Sequence, residues 1–160
     1  MSVRLRPMTE ADLDLVAALE IAVFGSEEAW SRQMLAGELA QQPASRYYLV
    51  AQDEDGGAIA GYAGLLGAGS QGDVLTLAVA TGRWGQGIGS ALLRALLAEA
   101  ASRGCTEVFL EVRIDNTRAQ ELYRRHAFAR VGIRRGYYQP SGTDALIMRH
   151  SLRGGTGEQG

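Results

Sequence analysis

The chain reads as an α/β protein, a mixed sheet with helices on both faces. Two observations predict this. Short alternating or apolar runs recur along the chain, separated by runs with helical spacing. Their order, β-α-α-β-β-β-α-β-α-β-β, sets hairpins beside helical crossovers and leaves no domain linker. A length of 160 residues and a hydrophobic fraction of 46% suit one domain with a real core, placed over residues 1–152.

Residues 2–6 alternate as a strand, and Thr9 opens a capping-box-like Thr-x-x-Asp with Asp12. Leu13, Val16, Ala17, Leu19 and Ile21 then space a helix to about Phe24. Ser31 is placed to cap a second helix reaching about Gln41. Strands follow over 46–52 and 58–66 as a hairpin, with 67–72 a loop and a third strand over 74–80. Ile88, Leu92, Leu93, Leu96 and Leu97 form the buried stripe of a helix that ends near Gly104. Residues 106–113 are a near-continuous apolar strand. Asp115 or Asn116 caps a helix to about His126, and strands over 128–135 and 143–150 close the sheet around a loop at 136–142. The glycine-rich tail, 153–160, is expected to be disordered.

Composition narrows the function. The formal charge of −2 argues against a general nucleic-acid binder. No apolar run approaches the roughly 20 residues that span a bilayer. The opening Met-Ser-Val-Arg-Leu-Arg-Pro lacks a signal peptide's apolar core, so a cytoplasmic protein is expected. The single cysteine, Cys105, reads as a buried structural thiol and excludes a cysteine-rich metal site; no metal is expected. Up to residue 40, acids outnumber bases, which fits either solvated helix faces or a cationic substrate nearby.

Two stretches carry chemistry. In Arg83-Trp-Gly-Gln-Gly-Ile-Gly-Ser90, glycines 85, 87 and 89 clear side chains from a helix start. The exposed N–H groups there, with the helix dipole, suit a diphosphate, and Ser90 adds a hydroxyl. A phosphate-binding P-loop is excluded because no Gly-Lys-Ser/Thr follows. A dinucleotide fingerprint matches the glycines only in part, and the surrounding order of elements is wrong for it. Coenzyme A diphosphate and a purely structural turn remain. The second stretch runs from Leu110 to Tyr123. Glu111 stands on an apolar strand, where a carboxylate is either ion-paired, with Arg113 or a neighbouring strand, or used as a base. Asn116 is an N-cap or a ligand contact, and Tyr123 a core residue or an acid.

Taken together, these segments resemble the GNAT family, the Gcn5-related N-acetyltransferases. The resemblance rests on Leu77-Ala-Val79, Gly85-Gln-Gly-Ile-Gly-Ser-Ala-Leu-Leu93, Leu110-Glu-Val-Arg-x-x-Asn116 and Leu122-Tyr123. Ala29-Trp-Ser31, Arg134-Arg-x-Tyr-Tyr138 and Asp144-Ala-x-x-Met148 resemble the bacterial branch that acetylates the N-terminal alanine of ribosomal protein S18. The resemblance implies a mostly antiparallel sheet, splayed at the cofactor site. It implies acetyl-coenzyme A as cosubstrate, a protein N-terminus as partner, and neither nucleic acid nor membrane. By the same likeness Leu77, Ala78 and Val79 offer backbone to the pantetheine arm and thioester. Gly85, Gln86, Gly87, Ile88, Gly89 and Ser90 hold the diphosphate, and Asn116 touches the cofactor. Glu111 is the implied general base and Tyr123 the general acid. Trp30, Tyr137 and Tyr138 line the peptide groove or pack in the core. Trp84 departs from the usual glutamine or arginine, and Ala127 from the usual glycine. A small-amine transferase and a non-catalytic acyl-coenzyme A sensor are the other readings.

Overall fold

The computed structural model describes residues 2–152; the glycine-rich tail and Met1 lie outside them. One sheet runs through seven strands: β1 (Val3–Pro7), β2 (Arg46–Asp53), β3 (Ile59–Ala68), β4 (Gln71–Val79), β5 (Glu107–Arg113), β6 (Ala129–Tyr138) and β7 (Thr143–Ser151). Their order is β1-β2-β3-β4-β5-β7-β6. Four helices complete the fold: α1 (Leu13–Phe24), α2 (Arg32–Leu39), α3 (Ile88–Ser102) and α4 (Thr117–Arg125).

Alternation along the strands divides the core. Tyr48, Val50 and Tyr62 pack with Leu13, Val16, Leu19 and Leu35 of α1 and α2. Leu49, Ala51, Ala63 and Leu65 pack on the other face with Leu92, Leu93 and Leu96 of α3 and Tyr123 of α4. Helices therefore cover both faces, as the sequence predicts.

Every neighbouring pair is antiparallel except β4 and β5. That parallel pair is short: Gln71, Gly72 and Asp73 face Glu107, Val108 and Phe109, and there the pairing stops. The β3–β4 register then slips, Gly64 facing Thr76 and Leu65 facing Val74, so Leu75 is a bulge. A bulge bends its strand, and β4 leaves β5 just beyond the last shared pair. The sheet opens into a wedge.

Two predicted loops are shorter in the structure. β3 and β4 meet at Gly69–Ser70, because Gly67 and Gly72 pair across the hairpin instead of breaking it. β6 continues to Tyr138, so its hairpin loop is 139–142. The break that Gly136 suggests is an irregularity in the β6–β7 register, with φ +63° at the glycine. Cys105 is buried, and burial raises its thiol pKa, as befits a structural residue.

Part of the acid-rich N-terminal region is neutralised by ion pairs. Arg6 grips Asp12 with two hydrogen bonds of 2.8 Å, and Asp12 also accepts from the Thr9 N–H at 2.9 Å. Asp14 pairs with Arg32, and Glu38 with Arg46. The Arg6 bonds hold the nearly buried Asp12 carboxyl below the usual range, against the opposing effect of burial. Its stabilisation is therefore complete above about pH 4 and is lost as the pH falls through the folded value. Asp12→Asn should lower stability by about 2 kcal/mol at pH 7. In urea titrations the variant and the parent should converge as the pH falls below about 4.

Candidate functional site

The wedge between β4 and β5 opens into two connected spaces. The larger, a cleft of about 1080 Å³, lies over the end of β4, the glycine turn and the start of α4. The smaller, about 140 Å³, lies between α1, β4, β5 and Tyr138. Phe24, Glu28, Leu77, Arg113 and Asn116 line both, so they mark the junction.

The cleft has the features of an anion cradle. Gly85 and Gly87 have φ of +81° and +83°, and a Cβ at either would meet no atom within 4 Å. These two glycines thus serve backbone conformation and an open approach. Gly89 serves packing instead, since a Cβ there would stand 3.2 Å from Leu122 of α4. The N–H groups of Ile88, Gly89 and Ser90 begin α3 and have no backbone acceptor among the described residues. They supply positive potential to the cleft wall. Ser90 also lines the cleft, its hydroxyl 3.0 Å from His126 Nε2.

β4 contributes its backbone through alternation. The Ala80 N–H bonds the Ala60 carbonyl on β3 at 2.9 Å. Ala78 and Thr76 share that orientation, so Leu77 and Val79 turn their polar groups towards the wedge. Ala78 lines the cleft, but its backbone groups are spent on β3 opposite Tyr62.

The other residues expected at the diphosphate are differently placed. Gln86 is not among the cleft-lining residues; it accepts from Arg83 Nε at 2.9 Å. Arg83 itself lines the cleft while its guanidinium pairs with Asp53 at 2.9 Å. Trp84 lies on the cleft wall, its indole N–H donating to the Val79 carbonyl at 3.1 Å. The Arg118 guanidinium stacks 3.5 Å above the Trp84 ring and also lines the cleft. Taken together, a glycine cradle, a helix start, arginines and exposed strand backbone fit a long diphosphate-bearing ligand with an amide-rich arm.

Glu111 and Tyr123 meet at the smaller cavity. Glu111 is 30% exposed and pairs with Arg134 Nε of β6 at 2.9 Å, so its ion pair reaches across β7 and does not involve Arg113. Tyr123 is buried, edge-on to Phe128 at 5.8 Å, and desolvation raises its pKa to about 12. Asn116 is the N-cap of α4, its Oδ1 accepting from the Ala119 N–H at 3.1 Å, while also standing at the junction. The structure shows the N-cap, with the residue open to both spaces. Ala127, φ +66°, occupies a left-handed position after α4, at a cost of about 1 kcal/mol.

Of the aromatic residues expected along a peptide groove, Trp30 and Tyr138 line the smaller cavity. Tyr137 lines neither space; it is 46% exposed and stands edge-on to Tyr138 at 5.1 Å. Adjacent strand residues point to opposite faces, so both could not turn inward.

Sequence reasoning missed three residues of the site. Arg113 donates to Glu28 at 2.6 and 2.7 Å, to Asp115 at 3.0 and 3.1 Å and to Thr143 at 3.1 Å. It also lies 5.3 Å above the Tyr138 ring. Ser141 reaches Glu28 at 3.3 Å from the hairpin loop. Arg113 and Glu28 thus tie the α1–α2 loop to the β6–β7 hairpin over the junction. The third is Glu20, buried in α1 and lining the smaller cavity. No group of three or more metal-ligating side chains is found among the described residues.

Residues 15–128 match the model of the acetyltransferase (GNAT) family. The N-alpha-acetyltransferase RimI of Mycobacterium tuberculosis is 41% identical over 146 residues, covering 89% of this chain and 88% of that protein. The crystal structure of the ribosomal-protein-S18-alanine N-acetyltransferase from Escherichia coli superposes with a TM-score of 0.80 at 27% identity, covering 94% of each chain. The mycothiol acetyltransferase of Clavibacter sepedonicus is 40% identical over 131 residues, but the match covers only 42% of it.

Arg113→Ala should lower stability by about 3 kcal/mol, because it leaves the largely buried Glu28 carboxylate without its cation. Glu28→Gln should cost less, since Arg113 keeps Asp115. Urea denaturation at pH 7 checks the ranking; equal losses would assign the whole effect to Glu28.

Proposed function

Starting from the fact that the chain belongs to the GNAT family and is an acetyl-coenzyme A-dependent N-acetyltransferase, we propose that its acceptor is a protein N-terminal α-amine. The target we propose is the N-terminal alanine of ribosomal protein S18, which the E. coli structural relative is named for. One observation carries this reading: a small cavity, walled by the α1–α2 loop and Tyr138, meets the cofactor cleft at the β4–β5 split. It admits an amine to the thioester from the side opposite the diphosphate. The near-complete overlap with the first relative supports it further, whereas a mycothiol transferase is more than twice as long as the match.

The chain's residues fit the cosubstrate as follows. Bound acetyl-coenzyme A supplies the activated acetyl group. The first N–H groups of α3 and the Gly85–Gly87 turn receive the diphosphate. Leu77 and Val79 offer backbone groups along the wedge, and the Val79 N–H is aimed where negative charge develops on the thioester oxygen. An α-amine of pKa 7.7–8.0 costs about 1–1.4 kcal/mol to deprotonate at pH 7, and a lysine more than about 4 kcal/mol. Glu111, held in orientation by Arg134, takes the proton directly or through water. Tyr123 stands at the other end of the proton path. With a pKa near 12 it keeps its proton. Tyr123 is thus available as the general acid, donating to the departing sulfur.

A coenzyme A-release assay tests the reading with an alanine-starting basic peptide, the same peptide already acetylated, and a panel of polyamines. Turnover of the first alone is expected; turnover of polyamines alone overturns the acceptor assignment. Tyr123→Phe should lower kcat about a hundredfold and leave acetyl-coenzyme A affinity unchanged. Glu111→Gln should lose activity at pH 7 and regain part of it above about pH 8, where the amine is already neutral. A loss independent of pH would move Glu111 from proton transfer to substrate binding.

A further inference from the structure

Three carboxylates line the smaller cavity, and two are matched by cations. Glu28 pairs with Arg113, and Glu111 with Arg134. Glu20 has no ion-pair partner among the described residues, although it is 1% exposed and the most buried of the three. Its oxygens accept only from neutral donors: the Trp30 N–H at 2.8 Å, the Thr76 hydroxyl at 3.3 Å and the Tyr62 hydroxyl. These come from three elements, the α1–α2 loop, β4 and β3, so the carboxylate is fixed in place. Desolvation is the dominant influence and raises the Glu20 pKa; the three donors oppose it in favour of the charged form but leave that charge uncancelled.

Burying a carboxylate without a cation is costly, and an apolar residue at this point of α1 would fill the core without that cost. The missing cation has a natural source. The cavity is about 140 Å³, room for about five waters by their share of liquid volume, and so for one small residue. Its one lining cation, Arg113, is already engaged by Glu28 and Asp115, and Arg134, which pairs with Glu111, lies outside the lining. What the space lacks is a single compact positive charge.

We propose that Glu20 is the fixed counter-charge for the acceptor's α-ammonium. The protein then takes up its peptide in the protonated form and discriminates against N-termini that carry no charge. This rests on the acceptor reading given above and deepens it. It also separates two tasks: Glu20 recognises the ammonium through the low-dielectric interior, and Glu111, at the more exposed end, removes the proton.

The test measures peptide binding by calorimetry on coenzyme A-loaded protein at pH 7. It compares an alanine-starting peptide with its desamino counterpart, in which a propionyl group replaces alanine. The parent protein should bind the amine peptide about tenfold tighter or more. In Glu20→Gln the difference should shrink to within about twofold, through weaker binding of the amine peptide alone. Glu20→Leu, which removes hydrogen bonding together with charge, should give the same collapse. Coenzyme A binding confirms that each variant is folded. Undiminished discrimination in either folded variant overturns the Glu20 assignment. So does equal binding of both peptides by the parent, a result that needs no variant at all. A parent that binds neither peptide overturns the acceptor reading together with it.

Discussion

The structure depends on how briefly β4 and β5 stay together. Three residue pairs join them, and the bulge at Leu75 then turns β4 away. A longer parallel pairing would have satisfied the Leu77 and Val79 backbone within the sheet and closed the space between the strands. Because it stops at Asp73, those groups face outward, α3 starts at the rim of the gap, and α4 leaves β5 at its far side. Catalytic geometry follows from a defect in strand pairing. The hydrophobic faces on either side hold it open, since α1 and α2 grip one surface of β2–β3 and α3 the other.

Across that gap the charges are arranged by position. Arg113 is the central tie, touching Glu28, Asp115, Thr143 and Tyr138 from one side chain. A planar guanidinium with five donors can do this where a lysine cannot. Its hydrogen bonds hold the Asp115 carboxyl below the usual range, and the arginine itself stays charged at any working pH. The walls of the smaller cavity are therefore joined by a contact that does not titrate near neutrality.

Much of this was legible in the sequence, and the misses have physical causes. Alternation and helical spacing located all eleven elements, and the catalytic stretch read correctly as strand, turn and capped helix. Glycine misled twice: at Gly67 and Gly72 it signalled a loop where the two simply face each other in a hairpin. Gln86 looked like part of the cradle because it sits inside the motif, but it spends its side chain on Arg83. Tyr137 and Tyr138 could not both serve, since a strand sends neighbours to opposite faces. Glu20 and Glu28 were illegible for another reason. A glutamate in a helix or loop reads as a solvated face, and only tertiary structure brings Arg113 to Glu28, 85 residues away.

Trp84 stands where a glutamine or arginine would place a polar or cationic group on the cleft wall. Trp84 gives this up and uses its indole N–H to secure the end of β4 at Val79. Its ring face, however, is electron-rich, and Arg118 settles on it at 3.5 Å from the first turn of α4. A guanidinium is thus kept on the cleft wall, delivered by a different element and held by a different force. An electrostatic potential depends on where charge lies and not on which residue carries it. The backbone N–H groups of α3 are present whatever the side chain, and only proline removes them. Side-chain charge on the cleft wall can thus be delivered by more than one element, whereas the N–H groups and the positive-φ turn beneath it come from the backbone alone.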